Sequence, residues 1–542
     1  MINFIKRYWL EILTIGVIGG VLLLCAAPSP TWMNTDSDGI HYTYASQYLY
    51  PSHKASAPLY LLLGNLFLRI PIGTEFWRMA LISVISGTIA SLFILLIIKH
   101  KTNNKWYSII GALIYGGSAL AISQNTIVET YPLVVAVCLG VYYFCLKQKW
   151  LTASILIGVA GAIHPTAMLV IIPMLIAYRK ELITWRRLGV MACFTLFYLY
   201  VPLTNRPPYM WFPSNKVGGI LGFVKDSIDT ATMLTGKLAI YDLPKRILDT
   251  GGLILLNFAV IGVVPLIYAF KTGKGWYKSL LFWLIAIPTI YYISDIAPET
   301  YVYIQPSIAF GAIAVGIGLS KLNKKLMIGT AVCTIFFLGF NANYFDLGRT
   351  LDPNLSATEY YEVELNKVPD GQILMPYYGW EWAAIYRYNK ENDRNIIPIS
   401  IDNISGKIYQ EMLTEQGIKF DDNFNEDRLT RQNYIAVSIV ESNDNVWTTR
   451  VTDAKTYGCE VLPATESLIN KVPTEPVGSW HWKPDSPYAI ITGSIEVQNW
   501  GFLTMSNHNV LYISLITGVI YLLYMLTEKR ISRKRVSEQV KS

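Results

Sequence analysis

Long uncharged apolar runs separated by short polar or basic loops dominate the chain and predict most of its elements. The runs at residues 9–27, 76–98, 106–122, 131–146, 188–203, 252–270, 280–293, 302–319, 326–340 and 510–526 read as membrane-crossing helices, since about 20 apolar residues span a bilayer core. The run at residues 151–178 exceeds one crossing and is cut by His164-Pro165, so it predicts two shorter helices with His164 near the outer membrane face. Residues 58–67 are apolar but too short to cross.

Lysine and arginine sort the loops. Lys99, Lys101 and Lys105, then Lys147 and Lys149, Arg179-Lys180 with Arg186-Arg187, Lys271 with Lys274, and Lys321 with Lys324-Lys325 fall in alternate loops. Short basic loops stay cytoplasmic, and Lys6-Arg7 and the tail around Lys529-Arg530 and Arg533-Lys534-Arg535 place both termini there too. The pattern predicts a polytopic α-helical protein with about twelve crossings. The first run enters Pro28-Ser29-Pro30 without a small-x-small cleavage site and reads as a retained helix.

Between residues 344 and 508 the pattern changes to interspersed charges, Asn and Asp. Residues 371–375 and 434–440 read as strands, and Ser356-Ala-Thr-Glu359 reads as a helix start. The expected organisation is a membrane domain over 1–343, a small extracytoplasmic α/β domain over 344–508, and a final crossing with a basic cytoplasmic tail over 509–542.

Composition agrees with the pattern: of 542 residues 52% are hydrophobic and 15% charged, with mean hydropathy +0.33. The net charge of +7 is accounted for by the cytoplasmic loops and tail, so it points to membrane lipid as partner and away from nucleic acid. Of six cysteines, five lie in or at apolar runs and Cys459 stands alone in the outer segment, which excludes a disulfide within it. No Walker loop, dinucleotide fingerprint, Cys-x-x-Cys or His-Glu-x-x-His occurs, which weighs against ATP hydrolysis and redox chemistry. Isoleucine, lysine and asparagine usage with short loops points to a bacterial cytoplasmic membrane; in a eukaryote the same topology would face the endoplasmic reticulum lumen.

The chemistry-bearing segment is Asn34-Thr-Asp36-Ser-Asp38-Gly-Ile-His41-Tyr42, two carboxylates and a histidine in one short loop beside lipid. Carboxylates there are costly unless solvated, paired or in use. On this topology Asp36, Asp38, His41, His53, Lys54, Glu129 and His164 all reach the outer boundary from three separate loops. Such a cluster can supply a general base and cationic groups that steady a phosphate leaving group. Plainer roles stand beside that one: turn and N-cap duty for Asp36 and Asp38, helix capping for Glu129, a polar break at His164, solvated loop positions for His41 and His53, and snorkelling for Arg78. Trp380-Glu-Trp382 and Trp480-His-Trp482 could offer flat faces to sugar rings, but core packing or interfacial anchoring of aromatics is the favoured reading.

Three ordered stretches resemble the protein O-mannosyltransferase-like group of GT-C membrane glycosyltransferases. The acidic first loop precedes His53-Lys-Ala-Ser-Ala-Pro58-Leu-Tyr60, where that group has an Asp-Ser-Gly-Glu segment followed by His-Pro-Pro-Gly-Tyr-Pro-Leu-Tyr. Glu129-Thr-Tyr131-Pro-Leu133 is similar to its Glu-x-Tyr-x-Leu, and His164-Pro-Thr166 to its His-x-Thr hairpin. The likeness covers about the first 180 residues; beyond them only Glu299-Thr-Tyr301-Val-Tyr303-Ile-Gln305-Pro306 is suggestive. His41 stands where the group has Glu, and Lys54-Ala-Ser replaces Pro-Pro-Gly.

The resemblance implies inverting transfer of a sugar from a polyprenyl-phosphate-linked donor to an acceptor hydroxyl on the outer face. The acceptor is protein Ser/Thr in the leading version and a lipid or envelope glycan in the alternative. Spacing from His53 puts the base at Asp38, with Asp36 as the alternative. His53, Lys54, Arg78 and His164 would bind donor phosphate, and Glu129, His41 and Tyr131 would order the pocket. The scheme requires no cofactor and no metal, and no dedicated metal set is visible, although a divalent ion is compatible with it. A lipid-carrier flippase or transporter also explains the spans, though it would favour midplane polar residues and internal repeats. A non-catalytic scaffold explains the outer segment.

Overall fold

A computed structural model describes residues 2–27, 37–50, 52, 57–199, 243–271, 279–294, 300–322, 328–329, 365–376, 379–399, 407–421, 428–443, 446–448, 480–481 and 496–497. The membrane part is a helical bundle. Its helices are α1 (Ile2–Leu24), α2 (Ser37–Tyr48), α3 (Pro58–Leu68), α4 (Glu75–Thr102), α5 (Lys105–Gly116), α6 (Ala119–Asn125), α7 (Tyr131–Leu146), α8 (Trp150–Ile163), α9 (Met168–Ala177), α10 (Arg179–Leu182), α11 (Trp185–Cys193), α12 (Leu243–Lys271), α13 (Leu280–Ser294) and α14 (Gln305–Leu319). By length and composition, Glu75–Thr102 and Val302–Leu319 are each apolar enough to cross a membrane, as is the bent pair α5–α6 taken together.

Local chemistry explains the boundaries. Thr74 caps α4 by accepting the Trp77 N–H at 3.1 Å, Glu75 occupies the first turn, and Lys99, His100 and Lys101 close the last, each sign matched to the helix dipole. Asn104 caps α5 through the Trp106 N–H at 2.9 Å. Gly117-Ser118 then breaks the span, and α6 leaves at 63°. The break frees backbone groups inside the bundle, and the Leu120 N–H is taken up by Asn257 Oδ1 of α12 at 2.9 Å.

Helix α14 is buried over nearly its whole length and lies among α4, α5, α7, α12 and α13. Glycines permit this: Gly311 faces the Phe258 ring, Gly316 faces Ile98, and Gly318 sits on the Pro265 carbonyl, where an added Cβ would overlap backbone. Starts of α4, α7 and α14 meet the ends of α6 and α8 at one end of the bundle. Lys99, Lys105, Lys147 and Lys321 collect at the other end, where Lys147 Nζ lies 3.2 Å from His100 Nδ1.

Several expectations meet the structure directly. Residues 131–146 form α7 with those bounds, residues 58–67 fall within the 11-residue α3, and the long run breaks at His164 into α8 and α9. The first polar loop is a correction, since from Ser37 onward it is helix. Residues 188–203 do not form one helix: α11 ends at Cys193 and a 3-10 segment, Phe194–Leu199, follows. The expected crossing at 510–526, most of that at 326–340, the helix start at Ser356, Cys459 and the boundaries at 343/344 and 508/509 lie outside the described residues.

Beyond the bundle, β1 (Ile373–Met375) pairs in parallel with β2 (Ile397–Pro398) and β3 (Val446–Thr448), in the order β2-β1-β3. Helices α15 (Gly379–Asn392), α16 (Lys407–Glu415) and α17 (Arg428–Ser442) connect or flank them. The strand expected at 434–440 is instead part of α17. Ile435, Ala436 and Ile439 are buried there, at the i, i+1, i+4 spacing of one helical face, which outweighs local β propensity. Trp480–His481 pairs antiparallel with Glu496–Val497.

Candidate active site

Helix α2 is polar yet buried on nearly every side. Ile40, His41, Tyr42, Thr43, Tyr44, Ala45 and Ser46 are all buried, between α3, α4 and α15. A polar helix without a solvent face departs from the usual stabilising pattern, and such departures concentrate at functional sites. Asp38 occupies its first turn, four residues before Tyr42, so the two positions share one helix face. Asp36, His53 and Lys54 lie outside the described residues.

Helix α3 supports α2 from one side. The Tyr60 and Tyr42 rings meet edge to face at 5.2 Å, and Asn65 Nδ2 donates to the Ser46 carbonyl at 2.9 Å.

The α6–α7 turn presents Glu129 and Tyr131. The Ser83 hydroxyl of α4 fixes the Glu129 peptide from both sides, donating to its carbonyl at 3.1 Å and accepting its N–H at 3.3 Å. Glu129 Oε1 accepts the Thr130 N–H at 2.6 Å and the Thr130 hydroxyl at 3.1 Å, so the carboxylate does satisfy the N-cap residue of α7. It remains 8% exposed.

His164 joins α8 to α9. The Thr166 N–H lies 3.3 Å and the Thr166 hydroxyl 2.8 Å from Nδ1, which makes Nδ1 the acceptor and leaves the proton of the neutral ring on Nε2. The imidazole centre is 5.3 Å from the Tyr131 ring, and the Tyr303 ring lies 5.4 Å from Tyr131 on another side. Four side chains from three distant segments (Glu129, Tyr131, His164 and Tyr303) therefore meet at the end of the bundle where α7 and α14 begin.

Arg78 is not part of this group. Its guanidinium is spent on the turn between α3 and α4, with Nη1 donating to the carbonyls of Leu68 at 2.6 Å and Ile70 at 3.0 Å, and Nε to that of Thr74 at 3.2 Å. An arginine at a helix start can close the preceding loop as well as bind phosphate, and only the loop geometry separates the two. Ser83, Tyr44 and Glu75 border the site without having stood out in the sequence. Ser83 and Tyr44 carry little signal inside their runs, whereas Glu75 is the lone acid opening a long apolar run. Among the described residues no three His, Cys, Asp or Glu side chains gather where they could hold a metal ion.

No protein-family model and no curated protein sequence matches the chain. Among solved structures, ArnT of Cupriavidus metallidurans bound to undecaprenyl phosphate aligns at a TM-score of 0.47 and 14% identity, over 73% of this chain and 91% of that one. The Archaeoglobus fulgidus oligosaccharyltransferase tethered to an acceptor peptide containing the NVT sequon aligns at 0.48 and 13%, over 81% and 71%. At TM-scores below 0.5, these similarities by themselves assign neither fold nor activity to this chain.

Proposed function

We propose that the chain is a GT-C-type membrane glycosyltransferase that moves a sugar from a polyprenyl-phosphate-linked donor to an acceptor hydroxyl at the outer face of the membrane. The observation that carries this is the meeting of His164 and Tyr303 around Tyr131, next to Glu129, together with the buried polar helix Ser37–Tyr48 that holds Asp38 in its first turn. Two of the three sequence stretches that resemble the protein O-mannosyltransferase-like group, those of Glu129-Thr-Tyr131 and His164-Pro-Thr166, meet there. The basic opposite end is cytoplasmic by the charge rule, which puts this place outside and both termini inside.

In this scheme the acceptor oxygen attacks the anomeric carbon from the face opposite the phosphate. The new C–O bond forms as the bond to phosphate oxygen breaks, with inversion. Asp38 takes the acceptor proton, and the leaving electrons stay on the polyprenyl phosphate. His164 Nε2–H, with Nδ1 already occupied, donates toward the developing phosphate charge, and His53 and Lys54 reinforce it. Glu129 orders the turn carrying Tyr131, and Arg78 holds the α3–α4 loop. Protein Ser/Thr is the leading acceptor class, and a lipid or envelope glycan is the alternative.

The test is transfer in proteoliposomes from radiolabelled polyprenyl-phosphate sugars to membrane and secreted protein extracts, comparing wild type with Asp36→Asn and Asp38→Asn. Label in protein that disappears with Asp38→Asn supports the assignment. Label confined to lipid moves the acceptor to an envelope glycan. Loss with Asp36→Asn alone moves the base, and no transfer from folded wild type refutes the proposal.

A further inference from the structure

One guanidinium joins the outer helix α15 to the site. Arg387 pairs with Glu391 one turn along its own helix, Nε to Oε2 at 2.9 Å. Its Nη1 reaches out of the helix, lying 2.7 Å from Glu75 Oε1 at the start of α4 and donating to the Tyr44 phenol of α2 at 2.6 Å. The guanidinium also stands 5.0 Å from the centre of the Tyr44 ring. Around it, Tyr48 of α2 donates to Glu391 Oε1 at 3.2 Å. Tyr386 meets Tyr48 and Tyr50 edge to face at 5.5 and 5.4 Å.

An exposed ion pair within one helix contributes little. This one differs in two ways. The Arg387 and Glu75 side chains are only 20% and 19% exposed, so deleting the arginine leaves a largely desolvated carboxylate without its partner. The planar fork also fixes direction as well as distance, and here it fixes three elements at once. Tyr44 lies on the 12-residue helix that begins with Ser37-Asp38. A shift of Arg387 therefore turns or lifts the helix that carries the candidate base.

We propose that Arg387 is a positioning residue through which the outer segment sets α2 against α4, and with it Asp38; this rests on the glycosyltransferase reading above. The outer segment is then a working part of the catalytic assembly, and α15 acts on the reaction without touching substrate.

The experiment uses the full chain in lipid nanodiscs and compares wild type with Arg387→Ala, Arg387→Lys and Tyr44→Phe. Hydrogen exchange is read over residues 37–48 and 371–399, and transfer kinetics are measured with polyprenyl-phosphate mannose and the other donor sugars. In Arg387→Ala, exchange over 37–48 rises while 371–399 keeps its protection. kcat falls about 10- to 100-fold, the scale of a misplaced catalytic group, at unchanged donor KM. Arg387→Lys restores part of kcat, because the charge answers Glu75 while the fork to Tyr44 is lost, and Tyr44→Phe falls between wild type and Arg387→Ala. Unchanged exchange over 37–48 overturns the proposal, as does faster exchange with unchanged kcat. Lost protection across 371–399 overturns it too, since Arg387 would then hold only its own segment together. A folded wild type that transfers no sugar refutes the glycosyltransferase reading instead, and exchange over 37–48 then decides the Arg387 contact alone.

Discussion

Two buried serines three residues apart on α4 separate a local hydrogen bond from one that builds the site. Ser83 holds the N–H and the carbonyl of Glu129 at once, at 3.3 and 3.1 Å, and is itself fully buried. Ser86 bonds only the Ile82 carbonyl of its own helix, at 2.6 Å. Replacing Ser83 with Ala removes two hydrogen bonds to buried backbone groups, each contributing ~1 kcal/mol, so the loss is about 2 kcal/mol. Replacing Ser86 removes a bond to a carbonyl that keeps its helical partner, and the loss is about 0.5 kcal/mol or less. The assay is the thermal midpoint in detergent, followed by sugar transfer, for Ser83→Ala, Ser83→Thr and Ser86→Ala. Ser83→Ala lowers the midpoint most and lowers kcat as the Glu129 turn loosens, while Ser83→Thr retains the hydroxyl and recovers both. Equal midpoints for the two alanine variants would refute the claim that Ser83 anchors that turn.

Further outcomes follow from other contacts. His164→Asn keeps an oxygen acceptor for the Thr166 N–H but has no Nε2, so it retains the wild-type midpoint and loses transfer; His164→Ala loses both, the midpoint by about 1 kcal/mol. A midpoint drop in His164→Asn as large as in His164→Ala would show that the capping argument is wrong. Gly318→Ala drives a Cβ into the Pro265 carbonyl, and overpacking of about 1–3 kcal/mol exceeds the ~0.8–1 kcal/mol gained in helix propensity, so detergent stability falls; an equal or higher midpoint contradicts this. Asp370 accepts from Arg394 Nε at 2.7 Å and the Asn395 N–H at 3.0 Å, which hold its carboxyl below the ordinary carboxylate range. Its contribution is therefore present above its unfolded-state value of about 4 and fades as pH falls through the lower folded-state value. Exchange at the Asn395 amide should rise over that acid window in wild type and be insensitive to it in Asp370→Asn.

Much of the helical frame was legible because its signals are local. Pro132 after Tyr131 and the basic Lys147 bound α7, and Pro165, which has no N–H to donate, ends α8 at His164. The strand expected at 434–440 failed for the opposite reason: Tyr-Ile-Ala-Val-Ser-Ile-Val reads as strand in a narrow window, and only burial of Ile435 and Ile439 on one face reveals the helix. At the site, Glu129, Tyr131 and His164 stood out through ordered motifs and do come together. Arg78 stood out as a candidate phosphate contact at the start of an apolar run, and its loop carbonyls could not be read from sequence. Ser83, Glu75 and Arg387 act through pairings between remote parts of the chain, which local patterning does not record.

The bend between α5 and α6 bears on the order in which the protein is made. The Leu120 N–H, among the groups a new helix start leaves without an internal partner, waits for an oxygen supplied by Asn257, 137 residues later in the chain. During synthesis the first helices therefore emerge with a polar group that only a much later helix can satisfy. A chain released before Asn257 carries an unfinished bend inside its bundle, the kind of defect a membrane quality-control protease can recognise, so the front half of this protein is not an independent module to be expressed or transplanted alone.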